Sequence, residues 1–209
     1  MNEQTTVDGP VDETVHRLIS QTRSYRRFEE SRPISLATLH HLVDLARLSG
    51  SARNCQPWQY MVVNEAELCE KIFPHLGWAG YLHDWQGPQP GDRPAAYILC
   101  LLNQNRGNLP LKHAYFDLGI ASQSMLVGAA ALTIMGCRIG AISPRLPKLF
   151  IVPEHLSLEL VIALGHPLEQ VQLEEIRAND NVAYWRDEQQ IHHVPKYALQ
   201  DVLCHLEQR

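Results

Sequence analysis

The chain offers no cysteine pairs to build on. Its 209 residues include five cysteines, Cys55, Cys69, Cys100, Cys137 and Cys204. The number is odd and no C-x-x-C spacing occurs, which excludes a zinc knuckle and a disulfide framework and fits the reducing cytoplasm. A basic excess is also missing. A formal net charge of -5 gives no general attraction to nucleic acid, whose binding surfaces are clearly basic. No apolar run reaches the roughly 18 to 20 residues needed to cross a bilayer, so neither nucleic acid nor membrane is an expected partner. Met1 to Pro10 is polar and acidic, without the basic start and apolar stretch of a signal peptide, and reads as a flexible N-terminal tail over residues 1–10. There is no G-x-x-x-x-G-K-[ST] and no G-x-G-x-x-G after a strand, which disfavours ordinary nucleoside triphosphate and dinucleotide folds. His40-His41 and His192-His193 are adjacent pairs facing different directions, unlike the i,i+4 ligands of a zinc helix, so no metal site is expected. No internal repeat or low-complexity run is present.

What remains is an ordinary globular composition, 45% hydrophobic and 20% charged, enough for one substantial core. The expected domain spans residues 11–173, followed by a polar extension over residues 174–209. Val11, Val15, Leu18 and Ile19 share one face of a first helix, with Asp12 and Glu13 near its positive end. Ser35 caps a second helix whose stripe is Leu39, Leu42, Val43 and Ala46, and Gly50 stops it. Tyr60 to Val63, Ala96 to Leu102 and Leu158 to Leu164 read as strands, the second so uniformly apolar that a central place in its sheet is predicted. Ala114 to Met135 is apolar on nearly every face and predicts a helix buried all round. Trp58 reads as core.

Local chemistry concentrates in Arg23-Ser24-Tyr25-Arg26-Arg27. Three guanidinium groups and a hydroxyl within five residues match the donor geometry that phosphate oxygens need; the same residues also make an ordinary solvated basic loop. On the first reading Arg23, Ser24 and Arg26 hold a phosphate. The loop from Ser51 to Asn54 supplies polar contacts, and the Gly140-Ala141 backbone borders a flat slot.

Several ordered motifs then fall into line. Arg23-Ser24-x-Arg26, Ser51-Ala52-x-Asn54-x-Gln56-Pro57, Asp117 to Gln123, Gly136-Cys137-x-Ile139-Gly140-Ala141 and Ala163-Leu164-Gly165-x-Pro167 together resemble the flavin-dependent nitroreductase family, from about Val11 to Val202. The resemblance implies an α+β fold, a central mixed or antiparallel sheet flanked by helices, and an intertwined homodimer with FMN at its interface. The extension over residues 174–209 would pack on the partner subunit. Residue by residue, it assigns Arg23, Ser24 and Arg26, with Lys196, to the FMN phosphate and ribityl chain. Ser51, Ala52 and Asn54 would approach the flavin from the other subunit, and Ile139, Gly140 and Ala141 would lie beside the ring. It implies hydride transfer from NADH or NADPH through flavin N5 to a nitroaromatic, quinone or similar small-molecule acceptor in ping-pong order, with no catalytic side chain. A reductive dehalogenase-like enzyme and an FMN-holding or FMN-sensing protein are the alternatives. Thr22, Gly50 and Tyr197 depart from the family pattern. So does Arg138, which either stabilises reduced flavin or points to solvent. Gly77 to Pro94, with Trp78, Tyr81 and Trp85, is either a lid or a loop pinned to the core.

Overall fold

A computed structural model describes residues 10–107 and 109–204; most of the tail expected over residues 1–10, and the last five residues of the extension, lie outside them. The sheet that organises the fold starts from the most apolar strand. All eight residues of β2 (Ala96–Asn103) are buried, because the strand is covered on both faces. Ile98, Cys100 and Leu102 share a core with Leu39, Leu42, Met125 and Ala129. The alternate residues Tyr97 and Leu99 share another with Cys69, Ile72 and Leu146. This is the period-2 alternation of a strand, with apolar residues at both phases. β1 (Trp58–Val63) and β4 (Leu156–Gly165) flank β2, and β3 (Met135–Ile139) closes the order β1-β2-β4-β3, every pair antiparallel. The predicted central place of the second strand and the α+β class both hold.

The helices follow their sequence signals. α1 covers Pro10–Gln21 and α2 covers Leu36–Arg47. The Ser35 hydroxyl accepts from the Thr38 N–H at 3.1 Å, the N-cap predicted from the sequence. α2 buries Leu39, Leu42 and Ala46 and packs on α4 (Leu111–Ala131), while α3 (Ala66–Ile72) covers the opposite face of the sheet. α4 differs from expectation in two ways. It ends at Ala131, and Met135 begins β3 instead. One face, including Ala114, Leu118, Met125 and Ala129, is buried, whereas Phe116 and Ile120 are 57% and 50% exposed. The uniform apolarity that predicted burial all round is covered only on one side within the chain.

Close approach fixes one glycine in the core. A Cβ on Gly165 would lie 2.6 Å from the Cβ of Phe28, whose ring is fully buried. We expect Gly165→Ala to destabilise by about 1 to 2 kcal/mol through overpacking, seen as a fall in Tm of about 2 to 8 °C. An unchanged Tm would show that Phe28 moves aside freely.

The polar extension is ordered into a second sheet. β5 (Val171–Ile176), β6 (Trp185–Arg186) and β7 (His192–Tyr197) stand in the order β5-β7-β6, with β5 and β7 parallel and β6 antiparallel to β7. The boundary expected between residues 173 and 174 falls inside β5. A one-turn helix, α5 (Leu199–Val202), follows.

Candidate functional site

The residues from Arg23 to Phe28 run along the edge of the main sheet. Ser24 bridges Gly136 in parallel, the Tyr25 N–H donates to the Gly136 carbonyl at 3.1 Å, and Phe28 bridges Pro167. This pairing sets the basic segment beside β3, and the second sheet closes over it. Glu169 is the tie. Its buried carboxylate accepts from the backbone N–H groups of Arg26 and Arg27 and from the Arg186 guanidinium at 2.7 Å. The result is a cavity of about 200 Å³ whose walls include Arg23, Ser24, Arg26, Arg138 and Lys196. Among the described residues, four cationic side chains line it and no carboxylate does. Arg23 Nε is buried without a partner among the described residues, although the far end of the same guanidinium donates to the Ile19 carbonyl at 2.9 Å. This donor set fits a phosphate.

Arg26 is the most enclosed of the four. Its guanidinium donates to the Ser24 carbonyl at 3.2 Å, sits 3.0 Å from His192 Nε2 and lies 4.7 Å from the centre of the Tyr184 ring. Since a guanidinium carries only donors, His192 Nε2 must accept, and the imidazole is neutral with its proton on Nδ1. Burial, then the positive charges of Arg26, Arg186 and His193, push the His192 pKa down to about 4. His193 behaves oppositely. Its two ring nitrogens lie 3.1 Å from Asp187 and 2.6 Å from Glu174, and these hydrogen bonds raise its pKa.

Ser51, Ala52 and Asn54 do not line this cavity. Their loop is clamped to α4: the Asp117 carboxylate, 5% exposed, accepts from the Ser51 hydroxyl at 2.7 Å and the Ala52 N–H at 3.0 Å. Ser51 Oγ in turn accepts from the Gln56 N–H at 2.9 Å. The clamp holds three non-glycine residues in left-handed backbone, Arg53, Asn54 and Gln56, with φ of 53°, 54° and 47°. Ser51 borders a second, largely apolar cavity of about 240 Å³ with Trp58, Tyr60 and Asp117. Trp58 itself is core, as predicted, its indole N–H donating to the Ala114 carbonyl at 2.8 Å.

Ile139, Gly140 and Ala141 also lie outside the cationic cavity. Ile139 is buried at the end of β3, and Gly140 and Ala141 are exposed. A Cβ on Gly140 would meet nothing within 4 Å, so its backbone is open to approach. The Gly77 N–H donates to the Ala141 carbonyl at 2.8 Å, joining this segment to the aromatic loop. That loop is pinned. Trp78 stacks on Phe73, Tyr81 packs on Tyr184 at 5.0 Å, and Trp85 lies under the Arg186 guanidinium at 4.3 Å. Of the two readings left open, attachment is the one observed, to the core through Trp78 and to the second sheet through Tyr81 and Trp85.

Sequence reasoning missed Asp117, Glu169, Tyr184 and His192 as builders of the site. Only Asp117 carried a signal, as a lone carboxylate in an otherwise apolar helix, where burial demands partners.

Residues 19–166 match the family described as the Nitroreductase family. A Methanothermobacter thermautotrophicus protein, provisionally named NADH dehydrogenase/NAD(P)H nitroreductase, is 30% identical over 169 residues, which is 78% of this chain and 83% of that protein. The iodotyrosine deiodinase of Thermotoga neapolitana is 22% identical over 73% of this chain and 88% of its own length. A crystal structure from Desulfovibrio desulfuricans, provisionally named a nitroreductase and solved in complex with FMN, superposes with a TM-score of 0.61. It is 26% identical and covers 78% of this chain and 88% of that one.

Proposed function

The chain belongs to the nitroreductase family, and from that premise we propose that it is an FMN-dependent oxidoreductase taking hydride from NADH or NADPH and reducing a nitroaromatic, quinone or similarly flat acceptor. The observation that carries this reading is the cavity lined, among the described residues, by four cations and no carboxylate. Bound FMN supplies N5 as hydride acceptor and then donor, in ping-pong order within one slot. Arg23, Arg26 and Lys196 neutralise the phosphate, and the Ser24 hydroxyl adds a neutral partner. The open backbone at Gly140, with Ile139 and Ala141, borders the ring.

The Ser51, Ala52 and Asn54 loop lies apart from the cationic cavity in its own chain, which supports its serving the flavin of a second copy. Uncovered apolar surface supports a homodimer: Val15 and Ile19 on α1 are 53% and 43% exposed, and Phe116 and Ile120 on α4 are exposed as well. Leu199 and Val202 at the end of the extension, 68% and 58% exposed, suit packing on that same partner. Among the described residues no helix is long and apolar enough to cross a membrane.

The decisive experiment is a visible spectrum of the purified protein followed by stopped-flow reduction. Bound FMN that NADH or NADPH bleaches anaerobically, and that a quinone or nitroaromatic reoxidises, is the expected result. A protein that takes up no FMN removes the reading, and one that holds FMN but is reduced by neither nucleotide is a flavin carrier. The likeness to a deiodinase gives one further arm: release of iodide from an iodotyrosine by the reduced protein would identify a reductive dehalogenase instead.

A further inference from the structure

One side chain of β3, Arg138, faces the cationic cavity. Arg138 is held against α4 by two hydrogen bonds. Its Nε donates to the Ser122 hydroxyl at 2.8 Å, and one terminal nitrogen donates to Gln123 Oε1 at 2.7 Å. Ser122 is almost fully buried, and its hydroxyl donates onward to the Gly119 carbonyl at 3.2 Å, so the oxygen that receives Arg138 has no rotational choice. A guanidinium has five N–H donors in a fixed plane. Two are used in aiming it, and three remain.

Two observations say what those donors are for. Arg138 lines the same cavity as Arg23, Ser24 and Lys196, and no carboxylate side chain is within ion-pair distance of it among the described residues; its partners are a hydroxyl and an amide. Arg138 is solvent-exposed along one side; partial desolvation of its guanidinium lowers its pKa, and the nearby charge of Arg23 adds to that effect. Like charges gathered without a counter-charge destabilise the fold unless an anion joins them. Thr22, on the same cavity wall, carries no charge, and its hydroxyl is turned away to the Leu18 carbonyl at 2.7 Å.

We propose that Arg138 is a phosphate anchor of this site, positioned by Ser122 and Gln123, and that it supplies from β3 the charge that Thr22 does not supply from the basic segment. The inference rests on reading the cavity as the phosphate end of an FMN site. Arg138, although solvent-exposed, is therefore held at the cavity by Ser122 and Gln123 rather than free. It makes the site selective for the phosphorylated flavin over riboflavin, which carries the same ring and ribityl chain without the phosphate.

The test compares wild type with Arg138→Met, Arg138→Lys and Ser122→Ala, measuring the Kd of FMN and of riboflavin by flavin fluorescence quenching. Arg138→Met should weaken FMN by about 10- to 100-fold, as expected for lost charge-assisted hydrogen bonds, and leave riboflavin binding unchanged. Arg138→Lys should recover part of the loss. Ser122→Ala, which frees the guanidinium without removing it, should weaken FMN less. Equal losses for FMN and riboflavin, or no loss for either, overturn the proposal. If wild type binds no FMN, the flavin reading fails, and the anion role is then decided by inorganic phosphate. A thermal shift with phosphate in wild type that Arg138→Met abolishes sustains it; an equal or absent shift in both overturns it.

Discussion

Asp117→Ala is expected to cost about 3 to 5 kcal/mol of stability, because two hydrogen bonds to a buried carboxylate are lost together, each worth about 1.5 to 3 kcal/mol. Among the described residues, the Ser51 hydroxyl and Ala52 N–H have no acceptor other than Asp117. The left-handed residues Arg53, Asn54 and Gln56 add about 1 kcal/mol or more of strain each, which the clamp holds in place. Asp117→Asn keeps one acceptor oxygen and should lose less. The measurement is urea unfolding at pH 7. A midpoint for Asp117→Ala within error of wild type would show that the loop is held by something else.

Acid should unfold this protein more readily than its carboxylates alone require, and His192 is the reason. Protonating it would place a second cation 3.0 Å from Arg26. The folded pKa, about 4 against an ordinary 6.5, is depressed, so the neutral form belongs to the folded state. The stability this contributes is fully present above pH 6.5 and is lost as pH falls from 6.5 to about 4. At 1.36 kcal/mol per tenfold change, and allowing for solvent screening, the loss is about 2 to 3 kcal/mol. His193 acts in the opposite sense over a different window: its raised pKa means that the hydrogen bonds to Asp187 and Glu174 stabilise fully below pH 6.5 and weaken as pH rises through the folded value. Denaturant titrations from pH 4 to 8 on wild type and His192→Gln separate them. The variant should flatten the acid side of the profile by about one proton and leave the alkaline side alone. If both profiles fall in parallel below pH 6.5, His192 is not the group responsible.

The parts legible in the sequence were those whose signals are local. β2 announced itself because both its phases are apolar, and α2 because a capping serine precedes a regular stripe. β3 was hidden: Met135 to Ile139 follows directly on an apolar helix, and the break is a turn at Leu132 and Thr133 rather than a glycine or proline. β7 was hidden more deeply. Its sequence, His-His-Val-Pro-Lys-Tyr, contains a proline that argues against an interior strand. Pro195 is tolerated because β6 pairs with β7 only at His192 and His193, leaving one edge of β7 unpaired at the proline. In the site, Arg23, Ser24 and Arg26 were legible because they fall within four residues of one another. Arg138 stood out only as a departure beside the Gly140 segment, and His192 only as half of an adjacent histidine pair, since nothing in a linear pattern brings either to the basic segment.

The distance along the chain between the walls of the cationic cavity has a consequence for how the protein is made. Arg26 meets Glu169 and His192 across separations of 143 and 166 residues. Contacts of such separation form late, after the entropy of closing a long loop has been met. During synthesis the basic segment emerges early, while the sheet that encloses it appears only when nearly the whole chain has left the ribosome. Until then its arginines are an ordinary solvated cluster. The cationic cavity is therefore complete only once β7 has been made, and premature termination anywhere before β7 leaves it without His192 and Lys196.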